Sequence, residues 1–174
     1  MKRGDGIGFS EGWTVAMVAT LEAALRGLPR IHVKPAPALA KLAKEHAGCT
    51  VLKTRIEDLE LANRAWGGVW ACASLLHLRK DDLPSALRKI CRWLVKDGIF
   101  YTCFKDGDGE RTDDTGRHFT NLTLEEAGRI VKEAGFELHD LWKTDSIIPG
   151  RVQVWNNVLA TRNAYPAVPG THQE

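Results

Sequence analysis

The sequence predicts an α/β fold built on a mostly parallel sheet, and three observations between Trp66 and Gly116 carry that prediction. Gly68-Val69-Trp70-Ala71-Cys72-Ala73 is a short, nearly continuous apolar run behind a glycine pair, the pattern of a strand covered on both faces. Asp81 and Asp82 then precede Leu83, Leu87, Ile90, Cys91 and Leu94, an apolar stripe at helical spacing, with Asp97-Gly98 as the expected stop. Ile99-Phe100-Tyr101-Thr102-Cys103-Phe104 is the next strand, rich in aromatic and β-branched residues. Strand, helix and strand of these lengths make one βαβ unit, whose two strands run parallel.

Upstream, residues 1–10 carry three glycines and read as a lead, followed by an alanine-rich helix from Trp13 to Leu25 that Gly27 ends. Ile31-His32-Val33 is a short strand, Pro35-Ala36-Pro37 a turn, and Ala38 to Ala47 a helix closed by Gly48. Thr50 to Thr54 is a further strand, with Ile56-Glu57-Asp58-Leu59 as the loop beyond it. Downstream of the βαβ unit, Lys105 to Gly116 is a polar loop, long for a compact domain and so expected to be functional. Thr123-Leu124-Glu125-Glu126 opens a helix with a capping box, and Gly135 stops it. Phe136 to Trp142 and Val152 to Ala160 alternate apolar and polar residues, as an antiparallel hairpin at the sheet edge would. Residues 163–174 lack periodicity and read as a tail.

Composition narrows the function classes. With 44% hydrophobic and 26% charged residues over 174 positions, the chain has the balance of a globular domain with a substantial core. A formal charge of +2 with dispersed Lys and Arg points to neither a nucleic-acid nor a membrane partner. Cys49, Cys72, Cys91 and Cys103 are irregularly spaced with no CxxC pair, which argues against a zinc or other metal site and against a disulfide framework. Three of them sit in apolar runs as small hydrophobes, consistent with a reducing, cytoplasmic location.

The words VWACASLLHL, LPSALRKICRWLVKDGIFYTCFKDGDGER and GRHFTNLTLEEAGRIVKEAGFELHDLW resemble the second half of a small class I S-adenosylmethionine-dependent methyltransferase, of the tellurite-resistance-like bacterial subgroup. The resemblance covers roughly residues 33 to 160. It implies a Rossmann-like methyltransferase sheet with an antiparallel C-terminal hairpin, S-adenosyl-L-methionine as cofactor, and a small-molecule acceptor. In open α/β sheets such ligands lie beyond the carboxyl ends of the strands. Carried onto this chain, Asp58 and Leu59 would meet the adenine, and Ala71, Cys72 and Ser74 would line the methionyl pocket. His77 stands at the mouth of that site as a candidate proton acceptor. Lys105 and Arg117 fall on basic positions of the subgroup, and two fixed cations would suit an anionic acceptor.

The front of the chain departs from this pattern, so the sheet is read as incomplete. Residues 1–34 hold no strand followed by the family's glycine-rich turn, although Gly4, Gly6 and Gly8 supply glycines. Lys34 stands where the family carries the acid that accepts the ribose hydroxyls, and an ammonium has donors only. The organisation expected is therefore an aberrant segment 1–34, a methyltransferase-like domain 35–162 and a tail 163–174. Two functional readings follow: a methyltransferase, or a non-catalytic remnant or binding module that kept the sheet and lost the cofactor. The abrupt border near Pro35 also fits a reading-frame change. Read one base later with suitable codons, Gly27 to Ile31 gives a glycine-aromatic-x-valine run that normally leads into the second strand.

Overall fold

The computed structural model describes residues 31–33, 40–41, 44–45, 50–148, 150 and 152–163. The expected helix at 13–25, the glycines at 4–8, Lys34, the Pro35–Pro37 turn, Cys49 and the tail from residue 164 lie outside the described residues. The chain divides into two compact units, residues 1–60 and 61–174.

In the first unit, β1 (Ile31–Val33) and β2 (Thr50–Leu52) pair in parallel, with His32 opposite Val51. Both strands fall within the segments expected from the sequence, residues 31–33 and 50–54. Residues 40–41 and 44–45 are helical, in keeping with the helix expected between these strands.

The second unit holds a four-stranded sheet. Its strands are β3 (Trp66–Ala71), β4 (Leu94–Lys105), β7 (Phe136–Asp145) and β8 (Val154–Arg162), in the order β3-β4-β8-β7. β3 and β4 are parallel; β4 with β8, and β8 with β7, are antiparallel. This is the α/β architecture read from the sequence, with the C-terminal hairpin inserted so that β8, not β7, meets the parallel pair. Helix α1 (Leu83–Trp93) makes the crossover between β3 and β4, burying Leu83, Leu87, Ile90 and Cys91. Helix α2 (Leu124–Glu133) starts where the capping box places it: Glu126 N–H donates to Thr123 Oγ1 at 3.1 Å. It stops at Gly135, whose φ of 102° suits a residue without Cβ. Phe100 and Phe104 of β4 are fully buried, and Phe100 stacks on Phe136 at 4.7 Å between centroids.

Three expectations are corrected. β3 is not covered on both faces: Gly67 and Gly68 are exposed and Trp70 is 46% exposed, and among the described residues β3 stands at the end of its sheet beside β4. α1 ends at Trp93, four residues before Asp97, because Leu94 already adopts extended backbone. The turn lies instead at Asp97, with φ 60°, and a Cβ on Gly98 would sit 2.9 Å from the Val95 carbonyl oxygen. Finally, Lys105 to Gly116 is no unstructured loop. β5 (Gly109–Thr112) and β6 (His118–Asn121) form an antiparallel hairpin.

Candidate functional site

The Asp113 side chain organises the turn of the hairpin. Asp113 accepts from the Thr115 N–H and hydroxyl and from the Arg117 N–H through Oδ1, at 3.0, 2.6 and 3.0 Å, while the Arg117 guanidinium grips Oδ2 at 3.0 and 3.1 Å. The Thr115 hydroxyl first, and then these other donors, hold the Asp113 carboxyl well below the usual carboxylate range. Gly116, at φ 80°, completes the turn.

Strand alternation then gives the hairpin two different faces. On one, Glu110 and Thr120 stand opposite each other and bind the turns after β3. Glu110 accepts the Lys80 N–H at 2.7 Å, and the Thr120 hydroxyl donates to the Leu78 carbonyl at 2.6 Å. On the other, Arg111 stands opposite Phe119, and three cations surround that ring. Lys105 Nζ lies 3.7 Å from the ring centroid, and the guanidinium carbons of Arg111 and Arg117 lie at 4.7 and 5.6 Å. Lys105 is buried at 5% exposure, although its sequence position reads as the start of a solvated loop.

His77 belongs to the same cluster. Its segment, Leu75–His77, is one 3₁₀ turn just beyond β3, and its ring lies 4.8 Å from Phe119. Nδ1 is 2.7 Å from the His118 carbonyl oxygen. A carbonyl can only accept, so Nδ1 carries the proton and the neutral ring keeps its lone pair on Nε2. Partial burial of the ring lowers the His77 pKa, the hydrogen bond to His118 opposes this, and the charges of Arg117 and Lys105 lower it further. At neutral pH His77 is an uncharged base.

The end of β3 supplies the other predicted residues of this unit. Ala71 is buried, its carbonyl accepting from the Thr102 hydroxyl at 3.3 Å, and Ser74 is exposed and accepts the His77 N–H through its carbonyl. Ala73 between them has φ 47°, a left-handed conformation costly for a residue with a Cβ. Cys72 is half-buried, and its sulfur lies 3.7 Å from that of Cys103. Spacing along the chain hides this pair, since the two cysteines are brought together only by the register that sets Ala71 beside Thr102. In the first unit, Asp58 and Leu59 close two successive turns, their N–H groups donating to the carbonyls of Arg55 and Ile56. Asp58 is exposed and Leu59 buried. Among the described residues no three His, Cys, Asp or Glu side chains gather as a metal site would need, and no helix is long and apolar enough to cross a membrane.

The βαβ unit with a polar constellation beyond its strand ends defines a Rossmann-like class. Within it, residues 7–102 match the model of the methyltransferase domain family, so the chain belongs to that family. The match begins well before residue 33, where the family resemblance read from the sequence starts. Among curated proteins none matches by sequence. Solved structures of similar fold include a 1,6-didemethyltoxoflavin-N1-methyltransferase from Burkholderia thailandensis with bound S-adenosylhomocysteine. It is 18% identical, with a TM-score of 0.66 over 91% of this chain and 81% of that one. An S-adenosylmethionine-dependent methyltransferase from Methanosarcina mazei superposes with a TM-score of 0.69 at 12% identity, over 83% and 86% of the two chains. A protein described as an S-adenosylmethionine-dependent methyltransferase, from Listeria monocytogenes, gives 0.67 at 16% identity, over 90% and 88%.

Proposed function

We propose that this chain transfers the methyl group of S-adenosylmethionine to a small anionic acceptor. The observation that carries the acceptor class is the gathering of Lys105, Arg111 and Arg117 around Phe119, beside His77. An aromatic ring gathers cations without adding a negative charge of its own, and guanidinium groups match planar oxyanions. Arg111 adds a third cation to the two positions inferred from the family resemblance.

The residues present suit the cofactor in part. The exposed left-handed turn at Ala73 and Ser74 offers backbone at the carboxyl end of β3, and Asp58 offers an exposed carboxylate that can accept from an amine. When bound, S-adenosylmethionine supplies an electrophilic methyl on a sulfonium that departs neutral, so the demand on the protein is chiefly positioning. In this reading the cation cluster orients the acceptor, and His77 Nε2 takes the proton that a protonated nucleophile must shed. Ala71, Cys72 and Ser74 at the end of β3 line the pocket for the donor's methionyl part.

A second reading is a non-catalytic binding module, favoured by Lys34 in place of the ribose acid and by the missing glycine turn, a departure that a reading-frame change would explain. Calorimetric titration of the purified chain with S-adenosylhomocysteine separates the two. Micromolar binding is expected of the enzyme; no heat at millimolar ligand overturns it.

A further inference from the structure

We propose that Cys72 and Cys103 form a dithiol that a low-molecular-weight disulfide, such as oxidised glutathione, closes into an intramolecular disulfide. The register that pairs Ala71 with Thr102 sets these cysteines side by side, one at the last step of β4 before Phe104 and one just past β3. Their sulfurs are 3.7 Å apart. Neighbouring strands lie about 4.8 Å apart, inside the Cα separation of roughly 4.4 to 6.8 Å that a disulfide spans. Closure therefore needs side-chain rotation and a small local shift, with no rearrangement of the sheet.

The two thiols have different surroundings, and the difference assigns their roles. Cys72 is half-buried, so it is the one that meets an oxidant from solution. Cys103 is 4% exposed, and its sulfur accepts the Ala73 N–H at 3.2 Å as well as lying against Cys72. The Cys72 contact and this N–H lower its pKa against the opposing effect of burial, while the hydroxyl of Tyr101 adds to the lowering. The thiolate is the attacking species in exchange. Cys72 as thiolate attacks one sulfur of the glutathione disulfide, whose S–S bond breaks and releases one glutathione thiolate. The Cys103 thiolate then attacks the Cys72 sulfur, and the second glutathione leaves. Two protein thiols are oxidised, one disulfide is reduced to two thiols, and the two protons pass to the released glutathiones. Cys91 offers a contrast. It is buried against the Gly135 carbonyl at 3.6 Å, and burial pushes its pKa up, so it stays reduced.

The test equilibrates the purified chain in graded mixtures of oxidised and reduced glutathione, quenches with acid, and reads intact mass and peptide map. Loss of two hydrogen masses, a Cys72–Cys103 cross-linked peptide and reversal by dithiothreitol are expected. Cys103→Ser should retain one glutathione on Cys72, and Cys72→Ser should leave Cys103 unmodified. An unchanged mass, or a cross-link through Cys49 or Cys91, overturns the proposal. The wild-type measurement decides alone if either variant fails to fold, and it reads no methyl transfer.

Discussion

Replacing Asn156 with alanine should cost about 3 kcal/mol at neutral pH, and that cost should shrink in acid. Asn156 is fully buried in β8, and its Nδ2 donates to Asp106 Oδ1 at 2.8 Å and to the Leu122 carbonyl at 2.7 Å. A hydrogen bond to a charged acceptor is worth about 1.5 to 3 kcal/mol and one to a neutral carbonyl about 0.5 to 1.5, so their joint loss is about 2 to 4.5 kcal/mol. The pH dependence comes from Asp106. Asn156 first, and then the Lys143 ammonium at 2.9 Å, hold its carboxyl below the ordinary carboxylate range. A group whose folded pKa is depressed contributes stability above its unfolded pKa and loses it as pH falls through the folded value. The deficit of the variant is therefore full above about pH 5 and is lost only as pH falls through the folded Asp106 value, below the ordinary carboxylate range. Urea unfolding at a series of pH values measures it. With a slope near 2 kcal/mol/M, the expected neutral-pH drop in midpoint is about 1.5 M. A loss under about 1 kcal/mol at neutral pH, or one that does not shrink at any acid pH where the wild type still folds, would refute the reasoning.

Thr123→Ala removes the acceptor of the Glu126 N–H at the start of α2 and should cost about 1 kcal/mol by chemical denaturation, with Thr123→Ser largely restoring it. Gly98→Ala drives a Cβ to 2.9 Å from a backbone oxygen and should destabilise by about 1 to 3 kcal/mol, whereas Gly67→Ala, where nothing lies within 4 Å, should show no comparable loss. If His77 Nε2 accepts the proton, methyl transfer is lost as pH falls through a His77 pKa lying below the usual 6.5, and His77→Asn abolishes that acidic limb. Nuclear magnetic resonance titration of His77 should also move in opposite directions in two variants. Arg117→Gln removes a charge that disfavours imidazolium and raises the pKa; Glu110→Ala frees the hairpin that supplies the His118 carbonyl and lowers it. Shifts of the same sign would show that His77 responds to neither.

What the sequence disclosed and what it hid follow a physical line. Periodicity is a local signal, so the stripe from Leu83 to Cys91 and the capping box at Thr123 disclose both helices, and short runs rich in β-branched residues disclose β1 and β2. Where tertiary pairing decides, local signals misplaced the boundary. Leu94 continues the apolar stripe of α1, yet it lies opposite Trp66 in the sheet, and that pairing ends the helix early. The hairpin was hidden for a different reason. Glu110, Arg111, Thr112, His118 and Thr120 carry no apolar alternation, because one face is occupied by polar bonds to the turns after β3 and the other by cations around a single ring. Arg111 was legible as a charge but not as a partner of Phe119, and the cysteine pair was beyond reach of any argument from spacing.

The same hairpin links two parts of the proposed site that the chain separates by about forty residues. Its polar face fixes position: Glu110 and Thr120 bind the Lys80 and Leu78 backbone, and the His118 carbonyl sets the tautomer of His77. Its cationic face, through Phe119, brings Lys105 from the end of β4 beside Arg111 and Arg117. A ring is suited to this place because it attracts cations without neutralising them, whereas a carboxylate at position 119 would cancel the charge offered to an acceptor. Asp113, which pairs with Arg117 there, is committed to the turn by three donors besides the Arg117 guanidinium. Positive charge and an uncharged base thus coexist within a few ångströms, since burial first, and then the charges of Arg117 and Lys105, disfavour the imidazolium of His77.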